Sequence, residues 1–138
     1  MQATWNLMTD SHDSLPLPPQ VTFLDTLRGL RSVRQYSNRP ADNYSFCILE
    51  YGDDYVQCAV TGRDFDVEYR RWGPGGSFTH YVFYHLRGLD GPASADRLRP
   101  RERYLFTAEE TAQIYSAYYS GGSWPEGVGL EDITRTFH

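Results

Sequence analysis

The stretch YSFCILEYGDDYVQCAVTGRDFDVEYRRWGPGGSFTHYVFYHL, residues 44–86, decides the fold. It holds four runs with strand character, at 44–51, 55–61, 65–72 and 78–86. Gly-Asp-Asp, Gly-Arg-Asp and Gly-Pro-Gly-Gly separate them, and each is a turn signal. The run 65–72 alternates most cleanly. Phe65, Val67 and Tyr69 fall on one side, and Asp66, Glu68 and Arg70 on the other. In 55–61, Val56, Cys58 and Val60 share a face opposite Gln57 and Thr61. The run 44–51 is apolar on both parities, the pattern of a strand covered on both faces. The fourth run is aromatic on both. Tight turns between successive strands imply an antiparallel meander.

Upstream, VTFLDTLRGLRSVRQY (21–36) has helical spacing. Phe23, Leu27, Leu30 and Val33 or Arg34 make one stripe, with Leu24 beside it. Thr22 and Asp25 form an acidic capping-box pattern. Gly29 weakens this helix by about 1 kcal/mol relative to Ala. Residues 1–20, with the Pro-rich LPLPP, read as an extended arm, and 21–138 as a single domain. Downstream, residues 87–104 form a polar connection too long for a hairpin loop. Leu105-Phe106 suits a short edge strand. TAEETAQIYSAYY (107–119) is then a helix, capped by Thr107 with Glu110 at the capping-box position and stopped by Gly121-Gly122. Its stripe is Ala108, Ala112, Tyr115 and Tyr119, widened by Ile114 and Tyr118. The expected architecture is α+β. An antiparallel meander of four to five strands carries an N-terminal and a C-terminal helix on one face.

The 138 residues suit one domain, and 40% hydrophobic with 22% charged residues argue against wholesale disorder. The net charge is −5, a field that repels nucleic acid and suits a basic protein partner. Every basic residue is Arg, so any ion pair can be a bidentate fork. No run approaches the roughly 18 apolar residues of a membrane span. The opening MQATWNLMTDSHD lacks a basic segment followed by an apolar one, so a cytoplasmic location is expected. In that setting Cys47 and Cys58 read as buried thiols rather than a disulfide.

Catalytic chemistry finds little support. His80 and His85 are an odd number of residues apart on one strand, on opposite faces, and no zinc-type spacing occurs. Cys47 and His80 can be brought together in some strand registers, but a buried thiol and a half-exposed His explain them more simply. Asp64, Asp66 and Glu68 lie at i, i+2 and i+4, with successive members roughly 6.5 Å apart. Glycosidases use carboxylates at about that separation. These, however, leave one strand side by side rather than facing each other across a substrate. Gly-Pro-Gly-Gly-Ser precedes a strand and offers no helix N-terminus to a phosphate. The expectation is a protein without catalysis, cofactor or metal.

The alternative is a nucleic-acid-associated regulator. DRLRPRERY (96–104) spaces Arg97, Arg99, Arg101 and Arg103 at period two, which lets an extended segment track a phosphate backbone. Asp90, Asp96 and Glu102 interrupt it, and a solvated loop paired with the acidic sheet face is the simpler account.

The C-terminal segment YYSGGSWPEGVGLEDI (118–133) is the most specific feature. It resembles the C-terminal signature of bacterial immunity proteins that neutralise polymorphic and contact-delivered toxins. The family most similar is the large one often encoded beside nucleic-acid deaminase toxins. Its members are small α+β domains ending in a helix and roughly Gly-x-x-Pro-x-x-Val-x-Trp. Gly122, Pro125 and Val128 match that spacing, after a helix carrying Glu109, Ala112 and Tyr118. The stretch 55–81 resembles the family's central meander, so the likeness runs loosely over 44–132. Leu130 stands where the family has Trp, and Trp124 precedes the Pro instead.

The resemblance implies a cytoplasmic inhibitor that occludes a cognate secreted toxin, basic and directed at nucleic acid, through shape and charge complementarity. Its docking residues are expected on an acidic, aromatic surface. The candidates are Asp53 and Asp54 at the first hairpin tip, Asp64, Asp66 and Glu68 on the third strand, and Trp124 and Glu126 in the tail.

Overall fold

The computed structural model describes residues 5–9, 12–16, 23–36, 46–61, 64–73, 75–86 and 102–137, with the backbone alone over 12–16, 31–36, 61 and 136–137. In chain order the elements are β1 (Trp5–Thr9), β2 (His12–Pro16), α1 (Phe23–Tyr36), β3 (Phe46–Tyr51), β4 (Asp54–Thr61), β5 (Asp64–Trp72) and β6 (Phe78–His85). A 3-10 turn (Glu102–Tyr104), α2 (Ala108–Ser120), β7 (Val128–Asp132) and a second 3-10 turn (Thr134–Phe137) follow. The strands form one sheet in the order β2-β1-β3-β4-β5-β6-β7, and every neighbouring pair is antiparallel.

The α+β class and the central meander are as expected, but among the described residues the sheet has seven strands rather than four or five. The additions come from both ends. The arm supplies β1 and β2, with β1 laid against β3 so that Leu7 opposes Leu49 and Thr9 opposes Cys47. The tail supplies β7 against β6, with Leu130 opposite Phe83. Leu105-Phe106 does not make a strand of its own. Phe106 forms a single antiparallel bridge to Phe65, closed by two backbone bonds of 2.8 Å.

Alternation dictates which face is covered. Cys47, Leu49, Val56, Cys58, Val60, Phe65, Val67 and Phe83 point to one side and are buried there. Phe23, Leu27 and Leu30 of α1 and Ala108, Ala112, Ile114 and Tyr115 of α2 complete the core on that side. Tyr119 is 43% exposed, so the predicted α2 stripe ends one turn early and Ile114 takes its place in the core. Thr22, the predicted α1 cap, lies outside the described residues. The α2 capping box is formed. Glu110 N donates to Thr107 Oγ1 (3.1 Å), and Thr107 N donates to Glu110 Oε1 (2.9 Å). Gly121 takes φ 72°, and Gly122 N donates to Ala117 O at 3.1 Å, so the helix stops as its sequence dictates. No helix among the described residues is long and apolar enough to cross a membrane.

Candidate functional site

Among the described residues no α-helix lies on the other face of the sheet, and the strand registers set its composition. One lateral row reads Met8, Ile48, Gln57, Glu68, Val82, Glu131, one residue from each of six strands. A second row reads Phe46, Ala59, Asp66. A third reads Asn6, Glu50, Tyr55, Arg70, His80. The face is therefore apolar over Met8, Phe46 and Ile48 of β1 and β3 and acidic over Asp66 and Glu68 of β5. Where these regions meet lies a cleft of about 320 Å³, floored by Met8, Phe46, Ile48 and Ala59, with Gln57, Asp66 and Glu68 along one side.

Neighbouring donors hold the carboxylates in place. Glu68 Oε2 accepts from Gln57 Nε2 at 2.6 Å, and Glu68 Oε1 is 3.6 Å from Nε2 of the buried His80. Asp66 Oδ1 accepts from the Ala59 backbone N–H at 3.2 Å. Beside them Arg70 lies 4.3 Å over the Tyr55 ring, with Trp72 and Phe78 at 5.7 and 5.6 Å. Arg70 Nη2 also donates to Asp53 O at 3.4 Å. Burial raises the Tyr55 phenol. The Arg70 charge opposes that shift and Glu68 reinforces it.

The seven predicted docking residues fall into three groups. Asp64, Asp66 and Glu68 alternate along β5 on the helix-free face. Asp53 and Asp54 stand at the β3–β4 tip, where Asp54 Oδ1 accepts from Trp72 N at 2.7 Å. Trp124 and Glu126 lie in the α2–β7 connection. Trp124 is half-buried on the helix side, its ring 5.3 Å from Tyr69, 5.1 Å from Phe83 and 6.3 Å from Tyr118. Glu126 is exposed. The fold thus brings the β5 carboxylates together and leaves Trp124 on the far side of the sheet from them. The cleft floor was missed in the sequence. Its signal was the second apolar parity of 44–51, namely Phe46 and Ile48.

Cys47 faces the helices and His80 faces away from them, so these two do not meet. Cys47 and Cys58 are cross-strand partners, both buried and neither in a disulfide. Burial pushes the Cys58 thiol up to about 12. Among the described residues no group of three or more His, Cys, Asp or Glu is placed to hold a metal. Of the Arg run, Arg97, Arg99 and Arg101 lie outside the described residues. Arg103 stacks against Tyr84 and Tyr104 at 5.8 and 5.7 Å, and the Tyr104 hydroxyl donates to Glu131 Oε1 at 3.2 Å. Compared with known families, curated proteins and solved structures, the chain matches none.

Proposed function

We propose that this chain is an immunity protein that binds a cognate secreted bacterial toxin domain and neutralises it by steric and electrostatic occlusion, with no turnover of its own. The observation that supports the reading is the helix-free sheet face, where the β5 carboxylates Asp66 and Glu68 border an apolar cleft and Asp64 lies next along the same strand face. A face of that composition suits a basic protein surface. Carboxylates steer and orient the encounter, and the apolar floor supplies area to bury. The net charge of −5 acts in the same direction. Partner, compartment and lack of catalysis follow from this reading.

The test is neutralisation. The chain is co-expressed with the toxin domain encoded by the neighbouring reading frame, and growth and complex formation are measured. Restored growth together with a stoichiometric complex is the expected result. Unrelieved toxicity with no complex would overturn the reading. A separate titration against generic DNA or RNA that gave tight binding with a steep salt slope would replace it with the nucleic-acid regulator.

A further inference from the structure

The cleft on the helix-free face has a chemistry narrower than acidic. Its floor is thioether, aryl and aliphatic carbon from Met8, Phe46, Ile48 and Ala59, and its acid comes from one strand only. Met8 has an unbranched side chain that conforms to irregular apolar shapes. Adjacent strands are about 4.8 Å apart, so Ile48 on β3 and Glu68 on β5 are separated by roughly 10 Å across β4. Asp66 and Glu68 are alternate residues on the same face, so their carboxylates are spaced roughly 6.5 Å apart along the strand.

We infer that this cleft receives an apolar side chain of a basic protein partner together with an arginine two residues further along the same partner segment. The inference rests on the immunity reading for the identity of the partner. In an extended segment, residues i and i+2 share a face and stand roughly 6.5 Å apart, and the arginine stem spans the remaining distance to β5. Arginine fits better than lysine. Its planar fork presents five donors, matching two carboxylates that approach from one side, whereas an ammonium is a compact point charge. Gln57 engages one oxygen of Glu68 and His80 Nε2 lies 3.6 Å from the other, but a carboxylate has about four acceptor sites, so Glu68 accepts from a guanidinium without losing Gln57.

The probe is the tripeptide acetyl-Leu-Ala-Arg-amide, titrated into the full chain and followed by amide NMR shifts, with acetyl-Leu-Ala-Gln-amide as the uncharged control. Saturable shifts centred on residues 8, 46–48, 57–59 and 66–68 are expected, and the Gln peptide should not give them. Glu68→Gln, nearly isosteric, should weaken the Arg peptide roughly two- to five-fold. Ile48→Ala should weaken both peptides, and each variant's own spectrum reports whether it is folded. No shifts, or shifts centred on the β3–β4 tip or on Trp124, would overturn the inference. The same variants are then measured against the toxin domain. Wild-type binding that both variants leave unchanged would overturn the cleft while leaving the immunity reading intact. Tripeptide binding in the cleft with no toxin bound would do the reverse.

Discussion

The hydroxyl of Tyr115 donates a hydrogen bond to the main-chain carbonyl of Cys47, tying α2 to β3 across 68 residues of sequence. Tyr115 is fully buried and its ring meets Phe23 edge-on at 5.8 Å, so one side chain links both helices to the sheet. Tyr115→Phe keeps the ring and removes the donor, leaving the Cys47 carbonyl with one partner fewer. A loss of about 1–2 kcal/mol is expected, seen as a fall in Tm of roughly 3–8 °C by circular dichroism. An unchanged Tm would mean that the hydroxyl contributes nothing.

The same buried cluster governs behaviour in alkali. Burial raises the Cys58 thiol to about 12 from an ordinary value of 9.0, and raises the Tyr115 and Tyr118 phenols above 10.0. Groups whose pKa is raised by folding hold their protons longer in the native chain than in the unfolded one. Their contribution is fully present below about pH 9. It is lost as pH climbs from there through the folded values, because the unfolded chain sheds the protons first. Urea midpoints should be level from pH 7 to 9 and fall steadily from 9 to 11. A level profile through pH 11 would contradict this.

Gly129 is fixed by close approach rather than by its backbone angles. A Cβ there would sit 2.6 Å from Tyr84 Cζ and 2.8 Å from its Cε1. Tyr84 is its cross-strand partner, with Arg103 and Tyr104 packed around the ring. Gly129→Ala should therefore destabilise by about 1–2 kcal/mol, net of the smaller gain from a stiffer unfolded chain. In a Tyr84→Ala background the same change should become neutral or better. Equal costs in the two backgrounds would show that the ring is not the obstacle.

Trp124 meets Tyr69, Phe83 and Tyr118, rings supplied by β5, β6 and α2. Truncating it to Ala removes a ring that closes one end of the core. A loss of about 2–4 kcal/mol and a Tm lower by several degrees are expected. If Tm held and only toxin affinity dropped, Trp124 would be an interface residue instead.

Charge reversal on β5, as Asp66→Arg with Glu68→Arg, should raise the Kd for the toxin domain by at least roughly ten-fold and reverse its salt dependence. Reversal at Glu126, exposed in the α2–β7 connection, serves as the comparison. Equal affinity in both would remove the β5 face from the interface.

The central meander was legible because its period-two alternation and turn residues agree over more than forty positions, as Phe65, Val67 and Tyr69 against Asp66, Glu68 and Arg70 illustrate. The α2 cap was legible because Thr107 and Glu110 act within one turn. What escaped depends on partners remote in sequence. β1 is five residues long, and its alternation of Trp5, Leu7 and Thr9 becomes meaningful only beside β3. The cleft joins Met8 to Ile48 and Ala59 through two registers that no local pattern specifies. Trp124 reads as a docking residue in the sequence for the same reason, since the rings that receive it come from three separate elements.

The position of β7 also bears on how the chain is made. It follows the other described strands in sequence and, among the described residues, pairs with β6 alone, the aromatic segment Phe78–His85. During synthesis the N-terminal parts emerge first, so the outer edge of β6 stands without its neighbour until residues 128–132 have left the ribosome. In that interval a strand edge rich in Tyr and Phe is open to pairing with another nascent copy, the hazard that any bare edge carries. The emergence of residues 128–132 is thus also the step that takes this edge out of reach.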